Sequence, residues 1–214
     1  MRRGTIHSMS QTEQSEPAER HRPRERRSRA EIPPERQAAA LAQVRKLGDP
    51  VLRESARPVE TFDSELAALS RRMIAVMRDA PGIGLAATQL GVVKRMIVYQ
   101  VDDDPVTLVN PRIVQASDDT EVLDEGCLSL PGVTVPVERP TLVRVRARDL
   151  RGRRLEYDAE DIEARVIQHE TDHLDGVLIL ERTSREERGR VMRELRERQT
   201  AAVQTVAVPS GAGL

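Results

Sequence analysis

Residues 168–176 have the sequence QHETDHLDG, which contains the metal-binding pattern HExxH. Positions four residues apart lie on one face of a helix, so His169 and His173 can reach the same metal ion. Glu170 projects beside them, where its carboxylate can take a proton from a water molecule. The only other histidines of the chain lie within its first 21 residues. The stretch therefore predicts a helix that carries a metal site for hydrolysis.

Two histidines leave a catalytic metal site one protein ligand short, because such sites usually have three. Cys127, the single cysteine, lies in the sequence EGCLS at 125–129 and offers a soft thiolate. A conventional HExxH peptidase would instead take a ligand from beyond the helix, for which the candidates are Glu181, Glu186 and Glu187. A third hypothesis is an inactive relative that keeps the metal as a structural brace. Two residues argue against this third hypothesis, Glu170 and Gln89, because a structural metal site requires neither a carboxylate beside the ligands nor the Gln89 amide.

A third informative stretch is GIGLAATQ at 82–89. Its small residues allow another chain to lie against the backbone, and the Gln89 amide can donate to a developing oxyanion. Taken alone, the stretch is equally typical of a tight turn between a helix and a strand.

Composition limits the function further. The chain has 214 residues, of which 38% are hydrophobic and 1% aromatic, with a formal net charge of −1. These values predict one globular domain with extensions and exclude base stacking as a main binding device. The charge gives no general attraction to DNA, and no apolar run is long enough to span a membrane. A lone cysteine and the lack of an apolar leader predict a cytoplasmic protein.

The distribution of residues predicts three regions. Residues 1–40 are rich in Arg, Glu and Pro, so we expect a disordered tail there. Residues 41–200 have the composition of a globular catalytic domain. Residues 201–214 are small and polar, which is typical of a second disordered tail.

Hydrophobic periodicity within the body predicts helices over 62–80, 160–174 and 186–198, and strands over 94–101, 107–115 and 142–147. Because helices and strands come in separate runs, the pattern favours an α+β fold with largely antiparallel strands over repeated βαβ units.

In their order and spacing, the stretches at 82–89, 125–129 and 168–176 resemble the three signature motifs of the peptide deformylase family. These enzymes remove the formyl group from the N-terminal methionine of nascent proteins. The resemblance extends from Val44 to about Thr183. It implies an α+β fold with antiparallel sheets packed around the HExxH helix, and the charged pattern after that helix adds a C-terminal helix.

The resemblance also implies the site. It gives the metal ligands as Cys127, His169 and His173. It gives the catalytic groups as Glu170, which acts on a water molecule activated at the metal, together with the Gln89 side chain and the Leu128 backbone N–H as oxyanion contacts. We expect the substrate backbone to lie along Ile83, Gly84, Glu125 and Gly126.

The expected cofactor is one divalent metal ion, physiologically Fe(II), with Zn, Ni or Co able to occupy the site in preparations. The expected partners are N-formyl-methionyl nascent peptides, with transient association with the ribosome and no DNA or membrane.

Overall fold

The computed structural model describes residues 32–206. The helices in this range are α1 (Pro34–Gln43), α2 (Ser64–Asp79), α3 (Asp161–Leu174) and α4 (Arg185–Val206). The strands are β1 (Gly84–Ala86), β2 (Met96–Tyr99), β3 (Val106–Ala116), β4 (Thr120–Cys127), β5 (Leu130–Pro140), β6 (Leu142–Arg148) and β7 (Arg154–Glu160).

Two antiparallel sheets organise these elements. Five strands form one sheet in the order β1-β2-β3-β6-β7, and β4 and β5 form a separate two-stranded sheet. The α+β fold predicted from the sequence is therefore confirmed. None of the helices within residues 32–206 is long and apolar enough to cross a membrane.

Helix α2 forms where its sequence pattern predicts. The Asp63 side chain caps it by accepting a hydrogen bond from the Leu66 backbone N–H at 2.9 Å. Leu66, Met73 and Met77 lie on one face and are fully buried in the core. The helix ends at Asp79, just before a proline and a glycine, and the chain then turns into the edge strand β1.

Helix α3, which carries the HExxH pattern, packs between the two sheets. Ten of its 14 residues are buried. Ile167 and Leu174 pack with residues of β2 and β6 in one apolar cluster. The helix is followed by Gly176 at φ +74°, where an added Cβ would lie 2.5 Å from the Arg53 carbonyl oxygen. This burial holds both histidines in fixed positions.

Two helices and four strands depart from the sequence expectations. Residues 34–40, which the sequence assigned to a disordered tail, belong to α1, whose Ala40 is buried against α2. Helix α4 continues to Val206, past the predicted tail boundary at 201, and Val191 packs it onto β5. The strands β1, β4, β5 and β7 were not predicted, although apolar and polar residues alternate along β5 and β7 as they do in other strands. The rest of the predicted tails, 1–31 and 207–214, lies outside the described residues.

Candidate active site

The predicted metal ligands converge at one point. Cys127 is the last residue of β4, and His169 and His173 lie one turn apart on α3. Their ligand atoms all lie within 4.8 Å of one another, and the Cys127 Sγ is 3.2 Å from His173 Nε2. Among residues 32–206, this is the one group of at least three such side chains that could hold a metal ion. The alternative ligands from beyond α3, such as Glu181, are not part of it.

The donor set fits a divalent metal ion. Thiolate and imidazole groups are ligands that zinc and iron take in proteins, and metal–ligand distances of about 2.0–2.3 Å bring such atoms within a few ångströms of each other. His169 has the support typical of a metal ligand, because its Nδ1 lies 3.0 Å from the Glu125 carboxylate. That contact leaves the other ring nitrogen available to an ion.

Glu125 sits at the centre of a buried ionic network. Its carboxylate accepts hydrogen bonds from Arg139 at 2.6 and 3.0 Å and from Arg165 at 2.8 Å. Arg139 also donates to Asp172 at 2.9 Å, and Arg182 pairs with Asp172 from the other side. The Glu125 carboxylate is thus hydrogen-bonded to His169 and two arginines. Any contact of Glu125 with a substrate therefore has to come from its backbone.

The network keeps Glu125 ionised. Burial alone raises the pKa of this carboxyl, but the hydrogen bonds from His169 and Arg139 outweigh burial and lower the pKa to about 2. Burial likewise raises the pKa of the Cys127 thiol, yet the charge of His173 and the hydrogen bond to His169 bring it well below its ordinary value. A lowered thiol pKa favours the thiolate, which is the form that binds a metal.

Glu170 lies beside the ligand group and faces β1. It is 4% exposed, and its Oε2 atom has no hydrogen-bond partner among the described residues. A Cβ added to Gly84 would lie only 2.4 Å from Glu170 Oε1. Burial raises the pKa of Glu170 to about 7. The Oε2 atom is therefore available as a hydrogen-bond acceptor, and only a glycine fits against the carboxylate.

Gln89 is oriented by the backbone around it. Its Oε1 accepts a hydrogen bond from the Ala86 N–H at 2.9 Å, which assigns the amide orientation. The Nε2 atom donates to the Ser129 hydroxyl at 3.1 Å and lies 3.7 Å from Cys127 Sγ. The amide N–H₂ group therefore points toward the ligand group, as an oxyanion contact requires.

A cleft of about 730 Å³ joins these groups. The predicted site residues that line it are Ile83, Gly84, Gln89, Glu125, Gly126, Cys127, Leu128, His169 and Glu170. His173 does not line the cleft and contributes through its position in the ligand group. All the residues selected from the sequence are thus brought to one place, although their roles toward metal and substrate stay predictions.

Sequence reasoning missed the supporting residues. Arg139, Arg165, Asp172 and Ser129 were not predicted. Arg165 did carry a signal, since it precedes His169 by four residues and so shares its helix face. Arg139 carried none, because its partners come from another strand and from α3. Lys46, which donates to the Leu128 carbonyl at 3.0 Å, was also overlooked.

The α+β fold, the HExxH helix and the adjoining thiol and carboxylate define a hydrolase of the HExxH class. The family model described as Polypeptide deformylase matches residues 41–189. The chain belongs to the polypeptide deformylase family, and the prediction that it is an enzyme of this family is confirmed.

Individual relatives agree with the family match. The peptide deformylase of Clostridium botulinum is 46% identical over 146 residues, which cover 68% of this chain and 99% of that protein. The peptide deformylase of Acidothermus cellulolyticus is 46% identical and covers 79% of this chain and 93% of its own length. The crystal structure of the Thermotoga maritima enzyme has 45% identity and a TM-score of 0.65, covering 66% of this chain and 96% of that one.

Proposed function

We propose that this chain removes the formyl group from the N-terminal methionine of nascent polypeptides and releases formate, with Glu170 as general acid and base beside a metal ion. The observation that carries the proposal is the convergence of Glu170 with the group formed by Cys127, His169 and His173 in one cleft. A general base next to a hydrolytic metal site is the arrangement that amide hydrolysis needs.

Cys127, His169 and His173 would hold one divalent ion. When bound, the ion supplies Lewis-acid chemistry that polarises the formyl carbonyl and acidifies water. Soft and borderline ligands of this kind suit Fe(II) and Zn(II) alike. We propose Fe(II) as the physiological metal, with Zn, Ni or Co able to replace it.

The protein's own groups then act on the proton and on the developing charge. Glu170 takes a proton from the attacking water at its free Oε2 and returns it to the leaving amine. The Gln89 amide, held by Ala86, and the Leu128 backbone N–H donate to the oxyanion. The balance is hydrolytic: the C–N bond of the formamide breaks, formate leaves, and the new amino terminus keeps the proton.

The strand edges beside the cleft support a mode of substrate binding. β1 is an edge strand of its sheet, and β4 pairs only with β5 among the described strands. An extended peptide can add its backbone to such an edge, here along Ile83 and Gly84 and past Gly126. The proposed catalytic unit spans residues 41–200, acts in the cytoplasm and meets its substrates in transient association with the ribosome.

The test is formate release from a formyl-methionyl peptide by anaerobically prepared protein, with the metal content measured on the same sample. We expect stoichiometric formate and about one equivalent of metal. Protein that carries a full equivalent of metal but releases no formate would contradict the proposal.

A further inference from the structure

Helix α1 is attached firmly to the body of the protein. Ala40 and Val44, at the end of α1 and just after it, are each 3% exposed and belong to the core cluster that includes α2. Arg36 donates to the Asp79 carboxylate at 2.6 and 3.3 Å, which ties the first turn of α1 to the end of α2. The position of α1 is therefore set from both ends.

This attachment turns one face of α1 toward the active-site cleft. Gln37 and Leu41, four residues apart on the helix, both line the cleft that contains Glu170. Leu41 is half-buried and packs against the core cluster that contains Ala80. The Gln37 side-chain amide makes no hydrogen bond within residues 32–206, so it is available to a ligand.

The shape of the cleft indicates which part of a substrate meets α1. Gly84 lies against Glu170, and from there the cleft continues along residues 80–83 toward the end of α2. In the other direction, Ala86 and Ala87 are fully buried and do not line it. A peptide whose formyl group lies at Glu170 and whose backbone pairs with the edge strand β1 extends along 80–83, which brings its later residues to α1.

Helix α1 stands largely outside the family match, which begins at residue 41. Gln37 lies before that point, and Leu41 is its first residue. Gln37 therefore lies outside the residues that the family model matches.

We propose that Leu41 and Gln37 form a subsite for the residues that follow formyl-methionine and select for apolar side chains there. The inference rests on the proposed function, since it assumes that the formyl group is held at Glu170. Leu41 supplies an apolar wall, and Gln37 supplies an uncharged amide for the peptide backbone. Neither residue bears a charge that would attract a charged side chain, and the apolar surface comes from Leu41.

The experiment compares formyl-methionyl tripeptides that carry Leu or Ser at the second or the third position. In Leu41→Ala, kcat/KM for the Leu peptides should fall about fivefold, the scale expected when a few methyl groups lose their contact, while the Ser peptides change little. Gln37→Ala should lower kcat/KM for all tripeptides and leave formyl-methionine amide unaffected. Leu41→Met, which conserves volume, should restore the preference.

The control is Glu35→Ala, which changes an exposed residue of the same helix that does not line the cleft. It should match the wild type with every substrate. An unchanged Leu-to-Ser ratio in Leu41→Ala, with normal deformylation, would overturn the subsite alone. A wild-type protein that releases formate from no peptide would overturn the proposed function, and the subsite with it.

Discussion

The Nδ1 atom of His169 lies 3.0 Å from the Oε2 atom of Glu125, and this contact links the candidate metal site to a buried ionic network. The Glu125 carboxylate is 5% exposed and accepts two hydrogen bonds from Arg139. An imidazole that donates through one nitrogen is fixed in orientation and tautomer, and it presents its other nitrogen to a metal. Glu125 therefore orients His169 from outside the group of proposed metal ligands.

Glu125→Gln should weaken metal binding by about 10- to 100-fold, because a neutral amide holds His169 and the two arginines less firmly. Competition with a metal chelator measures the affinity. Glu138→Gln is the matched control, since Glu138 is exposed and its side chain bonds only Thr120 among the described residues. Equal affinities in the two variants would show that the contact to His169 is not needed.

Cys127→Ser should lose most of the bound metal and the deformylase activity together, because a serine hydroxyl is a poor substitute for a thiolate. Elemental analysis of the purified variant measures the metal stoichiometry. If Cys127 were only a small buried apolar residue, the variant would keep a full equivalent of metal, and the assignment of this ligand would be wrong.

Glu170→Gln should keep the metal and lower kcat by about 100-fold or more, since the amide preserves the size of the side chain but cannot accept a proton. The measurement pairs formate release with metal analysis. Near-normal turnover would remove Glu170 from the mechanism, whereas a loss of metal would indicate a structural effect of the substitution.

Gly84→Ala should lower kcat by at least about tenfold. The added Cβ would meet Glu170 Oε1 at 2.4 Å and has to displace the carboxylate, and misplacing a catalytic group by about 1 Å is costly. Gly189→Ala is the control, because among residues 32–206 a Cβ in that helical position meets only the Arg193 side chain, at 3.5 Å. Steady-state kinetics of both variants would decide the matter, and unchanged kcat in Gly84→Ala would show that Glu170 has room to move.

The stability of the protein should fall above pH 10, in part through Tyr99. Burial and the hydrogen bond to Glu163, at 2.6 Å, raise the pKa of the Tyr99 hydroxyl above its ordinary value of 10. The folded state keeps this proton while the unfolded state releases it, so the free energy of unfolding decreases as the pH rises past 10. The free energy of unfolding, measured with urea at pH 8 and pH 10.5, should decrease less in Tyr99→Phe than in the wild type. Identical decreases in the two proteins would contradict the raised pKa of Tyr99.

Much of the fold and the site could be predicted because the signals are local. The helix with His169 and His173 follows from a spacing of four residues, and α2 follows from its periodicity and from Asp63 as its cap. Cys127 could be selected because it is the single cysteine of the chain. Chemistry that depends on residue type and short spacing can be predicted from the sequence alone.

The supporting network and the cleft could not be predicted in this way. Arg139 reaches Glu125 across the β4–β5 pair and reaches Asp172 on α3, contacts that span 14 and 33 residues. Helix α1 has the composition of a disordered tail, yet the burial of Ala40 against α2 orders it. Such contacts stabilise the fold only after segments that are distant in the sequence have packed together.

The sequence by itself selected the candidate reactive groups, namely two histidines, one thiol and one carboxylate, because their spacing and rarity indicate the chemistry that we propose. The tertiary structure alone decided that Glu125 holds His169, that Gly84 presses on Glu170, and that Leu41 borders the cleft. The physical reason is that the orientation and burial of these side chains depend on contacts between segments far apart in the chain. No local sequence pattern predicts which of those residues will be in contact.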